Sequence, residues 1–129
     1  MPKRRGARKL ALDILYEHDV TGFGLDKLLE RYSQNPAFVY ASGLVNGVRE
    51  CSEELDGLIQ SHATDWALDR MPVLDLNLMR IALYEMLHAL DVPVAVAINE
   101  AVELAKIYST PDSSRFVNGV LGKLASEKA

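Results

Sequence analysis

The most apolar stretch of the chain runs from Leu74 to Leu90 and contains neither glycine nor proline. Its apolar residues cover most of the helical circumference, which predicts a buried helix at the centre of the fold. Pro72 and Pro93 flank it, and proline disfavours helix at the residue before it. Polar or amphipathic residues recur at steps of three or four and should form one edge that meets water or a partner: Asn77, Arg80, Tyr84 and His88.

Four helices are predicted before the central one from apolar residues at helical spacing. The first carries an apolar stripe that begins at Ala7, and the second follows the glycine-containing break at residues 22–24. The third runs from Pro36 to about Cys51, although Asn46-Gly47 within it is also a turn sequence. Ser52 is expected to cap the fourth helix. These four helices should form an N-terminal lobe.

Two more helices are predicted after the central one. One covers Pro93 to Tyr108 and should turn Glu100 outward, and the last begins at a cap formed by Thr110 or Asp112. The segment before the central helix contains Trp66, which is large enough to plug a gap between two lobes. The boundary between the lobes is therefore predicted in this segment.

Composition supports a single all-α domain. The chain has 129 residues, of which 49% are hydrophobic, and no long alternation of β-branched residues occurs. Cys51 is the single cysteine, so an intramolecular disulfide is excluded and a reducing, cytoplasmic setting is expected. Asp13 and Glu17 interrupt the first apolar run, so we expect neither a signal peptide nor a membrane segment.

The basic residues are concentrated at the N-terminus. Residues 3–9 hold five of the fourteen lysines and arginines and none of the eighteen acidic residues. The remainder therefore carries nine basic and eighteen acidic side chains, a net charge of −9. A basic tip on an acidic body can attract a polyanion to one place and repel it elsewhere. A solvated, frayed N-terminus would explain the charge pattern equally well.

The first predicted helix gathers part of this charge on one side. Arg5, Arg8, Lys9 and Tyr16 fall within an arc of about 100° beside the apolar stripe. Three cations and an aromatic ring suit phosphate contacts and base stacking on single-stranded nucleic acid. Removal of the Arg8 side chain should weaken nucleic-acid binding, reduce its salt slope by about one and leave the fold intact. Tyr16 by itself would more often be a half-buried core residue.

Motifs of common enzymes and metal sites are missing from the sequence. It contains no Gly-rich phosphate loop, no Cys-x-x-Cys pair and no His-Glu-x-x-His sequence. His18, His62 and His88 lack metal-ligand spacing. Glu85 and His88 are three residues apart, as in di-iron bundles, but such sites need a second pair and two further carboxylates. We therefore predict a protein that is not an enzyme and needs no cofactor or metal.

Several segments together resemble one known family. The most specific lie between Asp91 and Leu121: DVP at 91–93, INEAVELAK at 98–106, Asp112-Ser113, and FVNGVL at 116–121. WALDR at 66–70 and RIALYE at 80–85 extend the match towards the N-terminus. On these residues the chain resembles the NusB family of bacterial transcription antitermination factors.

The resemblance implies an all-α fold with two small helical bundles, about seven helices, forming one compact domain. The N-terminal lobe would span about residues 1–62 and the C-terminal lobe about 66–126. It also implies a non-enzymatic factor that binds boxA RNA in nascent ribosomal RNA transcripts. The implied partners are the small-subunit ribosomal protein NusE and the antitermination complex of RNA polymerase.

RNA contacts carried over from the family fall on two segments of this sequence. The basic N-terminus, together with the charged side of the first helix, gives Lys3, Arg4, Arg5, Arg8, Lys9 and Tyr16. The start of the last helix gives Asp112, Ser113, Arg115 and Phe116. For Phe116 a core position is the first interpretation and RNA stacking the second. On the partner surface of the second lobe we expect Asp75 and Arg80.

A helical interaction or dimerisation module without RNA binding is the alternative. It would use the polar edge of the central helix, and its N-terminal cations would have no role. The sequence also leaves open whether the chain is a monomer or a homodimer.

Overall fold

A computed structural model describes residues 3–63, 66–89 and 91–128, except for the side chains of Lys3 and Lys128. These ranges contain no strand and seven α-helices, so the all-α prediction is confirmed. The helices are α1 (Lys3–Thr21), α2 (Leu25–Arg31), α3 (Phe38–Glu50), α4 (Ser52–His62), α5 (Val73–His88), α6 (Val94–Tyr108) and α7 (Pro111–Lys128). A short 3₁₀ helix, Leu68–Arg70, precedes α5.

The predicted central helix is α5, which packs against α1, α3, α4, α6 and α7. Ten of its residues are buried, among them Leu78, Met79 and Leu83. The helix ends at His88, and the predicted last residue, Leu90, lies outside the described residues. Full burial on several sides explains why its sequence shows no single apolar stripe.

The predicted polar edge of α5 is wrong in part. Asn77 is completely buried, and its amide donates to Asp19 Oδ2 at 2.9 Å and to the Val73 carbonyl at 3.1 Å. His88 is exposed as expected, whereas Arg80 is half-buried. A buried amide is tolerated because both of its N–H groups have acceptors. The edge therefore includes internal contacts as well as exposed positions.

The predicted third helix runs straight through Asn46-Gly47, so the alternative of a turn there is wrong. Gly47 is buried, and a Cβ added to it would collide with the Tyr84 ring. The missing side chain at Gly47 thus admits a side chain from α5 rather than the backbone of another helix. The contact fixes α3 against the centre of the fold.

The two predicted helix caps have different outcomes. Ser52 lies inside α4 and Cys51 occupies the cap position without a side-chain cap hydrogen bond, so the prediction for Ser52 is wrong. Thr110 Oγ1 accepts a hydrogen bond from the Ser113 amide at 3.1 Å, directly before the start of α7 at Pro111. Proline suits the first helical position because its missing N–H would have no partner there.

Trp66 does not plug a gap, because 49% of its surface is exposed. Its ring contacts Phe116 edge to face, with the ring centroids 6.5 Å apart. The division into lobes at about residues 62 and 66 stays a prediction, since α5 packs against helices from both sides of it. Within the described ranges, no helix has the length and apolarity needed to span a bilayer.

Candidate nucleic-acid interface

Three cations on α1 form what we call the outer layer of the N-terminal basic surface: Arg4, Arg5 and Lys9. Each contacts a carboxylate. Arg4 donates to Asp91 at 2.8 Å and Arg5 to Glu100 at 2.9 Å, while Lys9 reaches Asp13 at 2.7 Å, one turn along the helix. Arg4 and Arg5 also line a cleft of about 450 Å³ between α1 and the start of α6, which we call the N-terminal cleft.

Two carboxyl groups that pair with the outer layer have lowered pKa values, so they are charged at neutral pH. The hydrogen bond from Arg4 lowers the pKa of the Asp91 carboxyl, and that from Arg5 lowers the pKa of Glu100. Ion pairs with at least one solvent-exposed partner contribute little to stability. A phosphate group can therefore take the place of a carboxylate at little cost in folding free energy.

Arg8 belongs to an inner layer that also contains Glu85 and Tyr40. The Arg8 guanidinium donates two hydrogen bonds to the Glu85 carboxylate, at 2.8 and 2.9 Å, and the Tyr40 hydroxyl donates a third. The Glu85 side chain is completely buried and that of Arg8 is only 6% exposed. The expectation that Arg8 is an exposed RNA contact is therefore wrong. A carboxylate buried on α5 needs a cation, and Arg8 turns inward to supply it.

The inner layer positions the outer one. The Arg4 guanidinium lies over the Tyr40 ring, 4.4 Å from its centroid, and Glu100 accepts from Arg8 at 3.4 Å as well as from Arg5. Glu100 does not simply face outward as predicted, since its side chain is only 13% exposed. Burial, followed by the hydrogen bond to Glu85, raises the pKa of Tyr40 from 10.0 to about 12.

Two aromatic rings lie exposed on the elements that carry this surface. Tyr16, on α1, is 41% exposed and Tyr108, at the end of α6, is 45% exposed. The Lys9 ammonium lies 4.4 Å from the centroid of the Tyr108 ring. Sequence reasoning missed Tyr108, because helical spacing places it seven residues after the buried Ala101 and so on the inward side. The helix ends there, which leaves the ring exposed.

The predicted residues at the start of α7 do not all reach the surface. Asp112 and Arg115 are exposed and form an ion pair with each other. Ser113 is only 5% exposed and its hydroxyl lies 2.8 Å from the Ser109 hydroxyl, so the expectation that it is exposed to RNA is wrong. Its hydroxyl holds the turn between α6 and α7. Phe116 is partly buried against the core, with an edge towards Trp66.

The two predicted partner contacts are both engaged inside the chain. Asp75 is 2% exposed and accepts a hydrogen bond from the Ser109 hydroxyl at 2.9 Å, so the expectation that it faces a partner is wrong. Arg80 donates to Asp56 at 2.8 and 2.9 Å and to Asp19 at 3.0 Å. Its side chain keeps 17% exposure, and its role towards a partner stays a prediction. The side chain of Lys3 lies outside the described residues.

Within the described residues, one cluster combines three kinds of metal donor: Cys51, Glu54 and His88. Their sulfur, oxygen and nitrogen atoms lie within 4.8 Å of one another. None of the three lines the N-terminal cleft. The cluster therefore shares no residue with the lining of the N-terminal cleft.

Comparisons with known proteins agree on one family. The NusB family model matches residues 5–126. The transcription antitermination protein NusB of Salinispora tropica is 50% identical, in an alignment that covers 97% of this chain and 96% of the relative. NusB of Desulforamulus reducens is 42% identical, with 97% and 91% coverage.

Solved structures give the same result. T. maritima NusB superposes with a TM-score of 0.85 at 34% identity, covering 96% of this chain and 91% of that one. A chain from a crystal structure of the antitermination factors NusB and NusE in complex with double-stranded RNA has a TM-score of 0.84 at 27% identity. The superposition covers 98% of both chains.

Proposed function

Because the chain belongs to the NusB family, we propose that it is a transcription antitermination factor that binds boxA-type RNA in nascent ribosomal RNA transcripts together with the ribosomal protein NusE. It works within the antitermination complex of RNA polymerase, in the bacterial cytoplasm, and catalyses no reaction. The observation that carries the proposal is the outer layer. Arg4 and Arg5 reach the surface beside the N-terminal cleft, paired only with carboxylates that a phosphate can replace.

The RNA path extends from the N-terminal cleft along α1 towards α7. Lys9 contacts Tyr108 on α6, and Asp112 follows Tyr108 by four positions, a span of at most about 15 Å. The exposed pair Asp112 and Arg115 would therefore lie within reach of the same strand. Cations along this path neutralise phosphates, while Tyr16 and Tyr108 offer faces on which unpaired bases can stack.

The small number of cations makes a partner necessary for tight binding. Among the described side chains of α1, the three cations of the outer layer give only a few phosphate contacts, which supply modest affinity. The body of the chain carries a net charge of −9 outside residues 3–9, which favours docking of a basic protein. NusE docked on this body would add its own phosphate contacts, and Arg80 is the remaining candidate contact from the sequence.

A fluorescence-anisotropy titration tests the proposal. BoxA RNA and a scrambled RNA of equal length are each titrated with the full chain at two salt concentrations, with and without NusE. We expect tighter binding to boxA than to the scrambled RNA, and a further increase when NusE is present. Equal weak binding to both RNAs that NusE does not change would refute the proposal and favour an interaction module without RNA binding.

The oligomeric state is tested separately. A homodimer formed through α1 would cover the outer layer, so dimer formation and RNA binding would compete. Size-exclusion chromatography with light scattering measures the molar mass of the protein with and without boxA RNA. A dimer that RNA dissociates would show a lower protein mass when RNA is present, whereas a monomer would not.

A further inference from the structure

We propose that Cys51, Glu54 and His88 form a binding site for a divalent transition-metal ion of the zinc type. The three donor atoms, Sγ, a carboxylate oxygen and an imidazole nitrogen, lie within 4.8 Å of one another. They come from two separate parts of the fold, the junction of α3 and α4 and the end of α5. The site is independent of the RNA-binding function proposed above.

The three donors meet where the start of α4 lies beside the end of α5. Cys51 precedes α4 and Glu54 lies three residues later in its first turn, so both side chains lie on one side of this helix. His88 is the last residue of α5, and its Nε2 is 3.0 Å from Glu54 Oε1. Donors around a tetrahedral zinc ion are about 3.3–3.8 Å apart, given bond lengths of 2.0–2.3 Å. Small rotations of three side chains would produce these separations.

The donor set selects the kind of ion. Thiolate, imidazole and carboxylate are the three ligand types that zinc accepts, whereas calcium and magnesium require oxygen donors. A thiolate at Cys51 and a carboxylate at Glu54 would balance the two positive charges of the ion, with neutral His88 as third ligand. Three protein ligands leave the fourth position to water. This number is typical of open zinc sites.

The surroundings of His88 restrict its movement. Its ring lies against the Tyr84 ring, with centroids 5.5 Å apart, and Tyr84 is itself held against Gly47. The side chains of His88 and Glu54 are 38% and 51% exposed, so an ion can enter from solvent. Cys51 is half-buried behind them. Bound metal would fasten the α3–α4 junction to the end of α5.

Cobalt is a suitable probe because its absorption reports the ligands directly. The full chain, reduced and freed of metal with a chelator, is titrated with Co²⁺ and then with Zn²⁺. We expect a sulfur-to-cobalt charge-transfer band and the visible bands of tetrahedral cobalt, with one ion per chain, and displacement of the cobalt by zinc. Zinc should also raise the midpoint of thermal unfolding, because it binds the folded chain.

Variants identify the ligands. Cys51→Ser should abolish the charge-transfer band, and His88→Gln and Glu54→Gln should each weaken cobalt binding at least about tenfold. The matched controls are Glu53→Gln, in the same turn of α4, and His62→Gln, at its other end; neither should change the affinity. Circular dichroism checks the fold of each variant, and His88 and Glu54 are exposed enough for their replacement to leave it intact.

Two results would overturn the proposal. One is the absence of a charge-transfer band when cobalt is in several-fold excess over the folded wild-type chain. The other is a band of unchanged affinity in His88→Gln and Glu54→Gln, which would mean that the thiol alone binds cobalt.

Discussion

The inner and outer layers of the N-terminal basic surface contain the same kinds of group in different surroundings. Arg5 and Arg8 lie one turn apart on α1 and both donate to Glu100. The Arg5 side chain is 48% exposed, whereas that of Arg8 is 6% exposed and bound to a completely buried carboxylate. In water, ion pairs are weak and exchangeable, but a buried pair that loses one partner leaves an uncompensated charge. Of these two neighbouring arginines, Arg8 is therefore committed to the fold, whereas Arg5 is the one that we propose contacts RNA.

The largest effect is expected when the inner layer loses its cation. Arg8→Ala should destabilise the chain by about 3–5 kcal/mol in urea unfolding, because the Glu85 carboxylate stays buried without its partner. The double variant Arg8→Met, Glu85→Leu should recover much of this loss, since apolar groups can replace a buried pair. Loss of RNA affinity in Arg8→Ala with unchanged stability would instead place Arg8 in the outer layer.

The next effect concerns the hydroxyl of the inner layer. Tyr40→Phe should cost about 1.5–3 kcal/mol, since it removes a hydrogen bond to a charged group. Because the folded pKa of Tyr40 is raised from 10.0 to about 12, its contribution is complete below pH 10 and is lost as the pH rises to about 12. Ultraviolet titration of the wild type should show a step near pH 12 from ionisation of the Tyr40 hydroxyl. A curve for Tyr40→Phe that keeps the late step would contradict this assignment.

A change in the outer layer should affect RNA and spare the fold. Arg5→Ala should weaken boxA binding several-fold and reduce the salt slope by about 0.7, the value for one phosphate contact on a single strand. Its unfolding free energy should stay close to that of the wild type, since Arg5 is exposed. Arg49→Ala is the matched control, because Arg49 has a similar exposure of 40% and pairs with Asp26. Equal losses of boxA affinity in the two variants would show that Arg5 does not belong to the RNA-binding surface.

The smallest predicted effect is a gain in RNA affinity. Asp91→Asn removes the carboxylate that competes with phosphate for Arg4, so RNA affinity should rise, by less than Arg5→Ala lowers it. Asp26→Asn, which breaks the exposed pair with Arg49, is the control for the change of net charge. Anisotropy titrations at low salt compare the two variants. An equal gain in both would show that only the overall charge matters.

The helices could be predicted from the sequence because burial repeats at the helical period. Ala7, Leu10, Ala11, Ile14 and Leu15 are all buried, as the stripe on α1 requires. The motifs from Asp91 to Leu121 likewise suffice to indicate the family, because they are runs of specific residues rather than a pattern. Periodicity, however, fixes only where a side chain leaves its own helix. Periodicity therefore predicts the helices and their buried faces better than it predicts which side chains meet at the candidate site.

The errors at the site share one physical cause. Arg8 lies beside an apolar stripe in the helical projection, but its long side chain bends towards Glu85, which is 77 residues away in sequence. Asp75 is expected on the partner surface that the family resemblance implies, yet it lies inside the fold, where the Ser109 hydroxyl donates to it. His88 shows no metal-ligand spacing, although folding brings it to Cys51 and Glu54. Each of these contacts depends on tertiary neighbours that local patterns do not specify.

The long sequence separation of the α1 contacts has a consequence for biosynthesis. Helix α1 leaves the ribosome before the acidic partners of Arg8 and Arg5, which follow 77 and 95 residues later in the chain. At translation rates of about 5–20 residues per second, that delay is roughly 4 to 19 s. During this interval the basic segment of the nascent chain has neither of these carboxylates to neutralise it. Of the seven described helices, α1 is thus synthesised first but is among the last to gain its tertiary ion pairs.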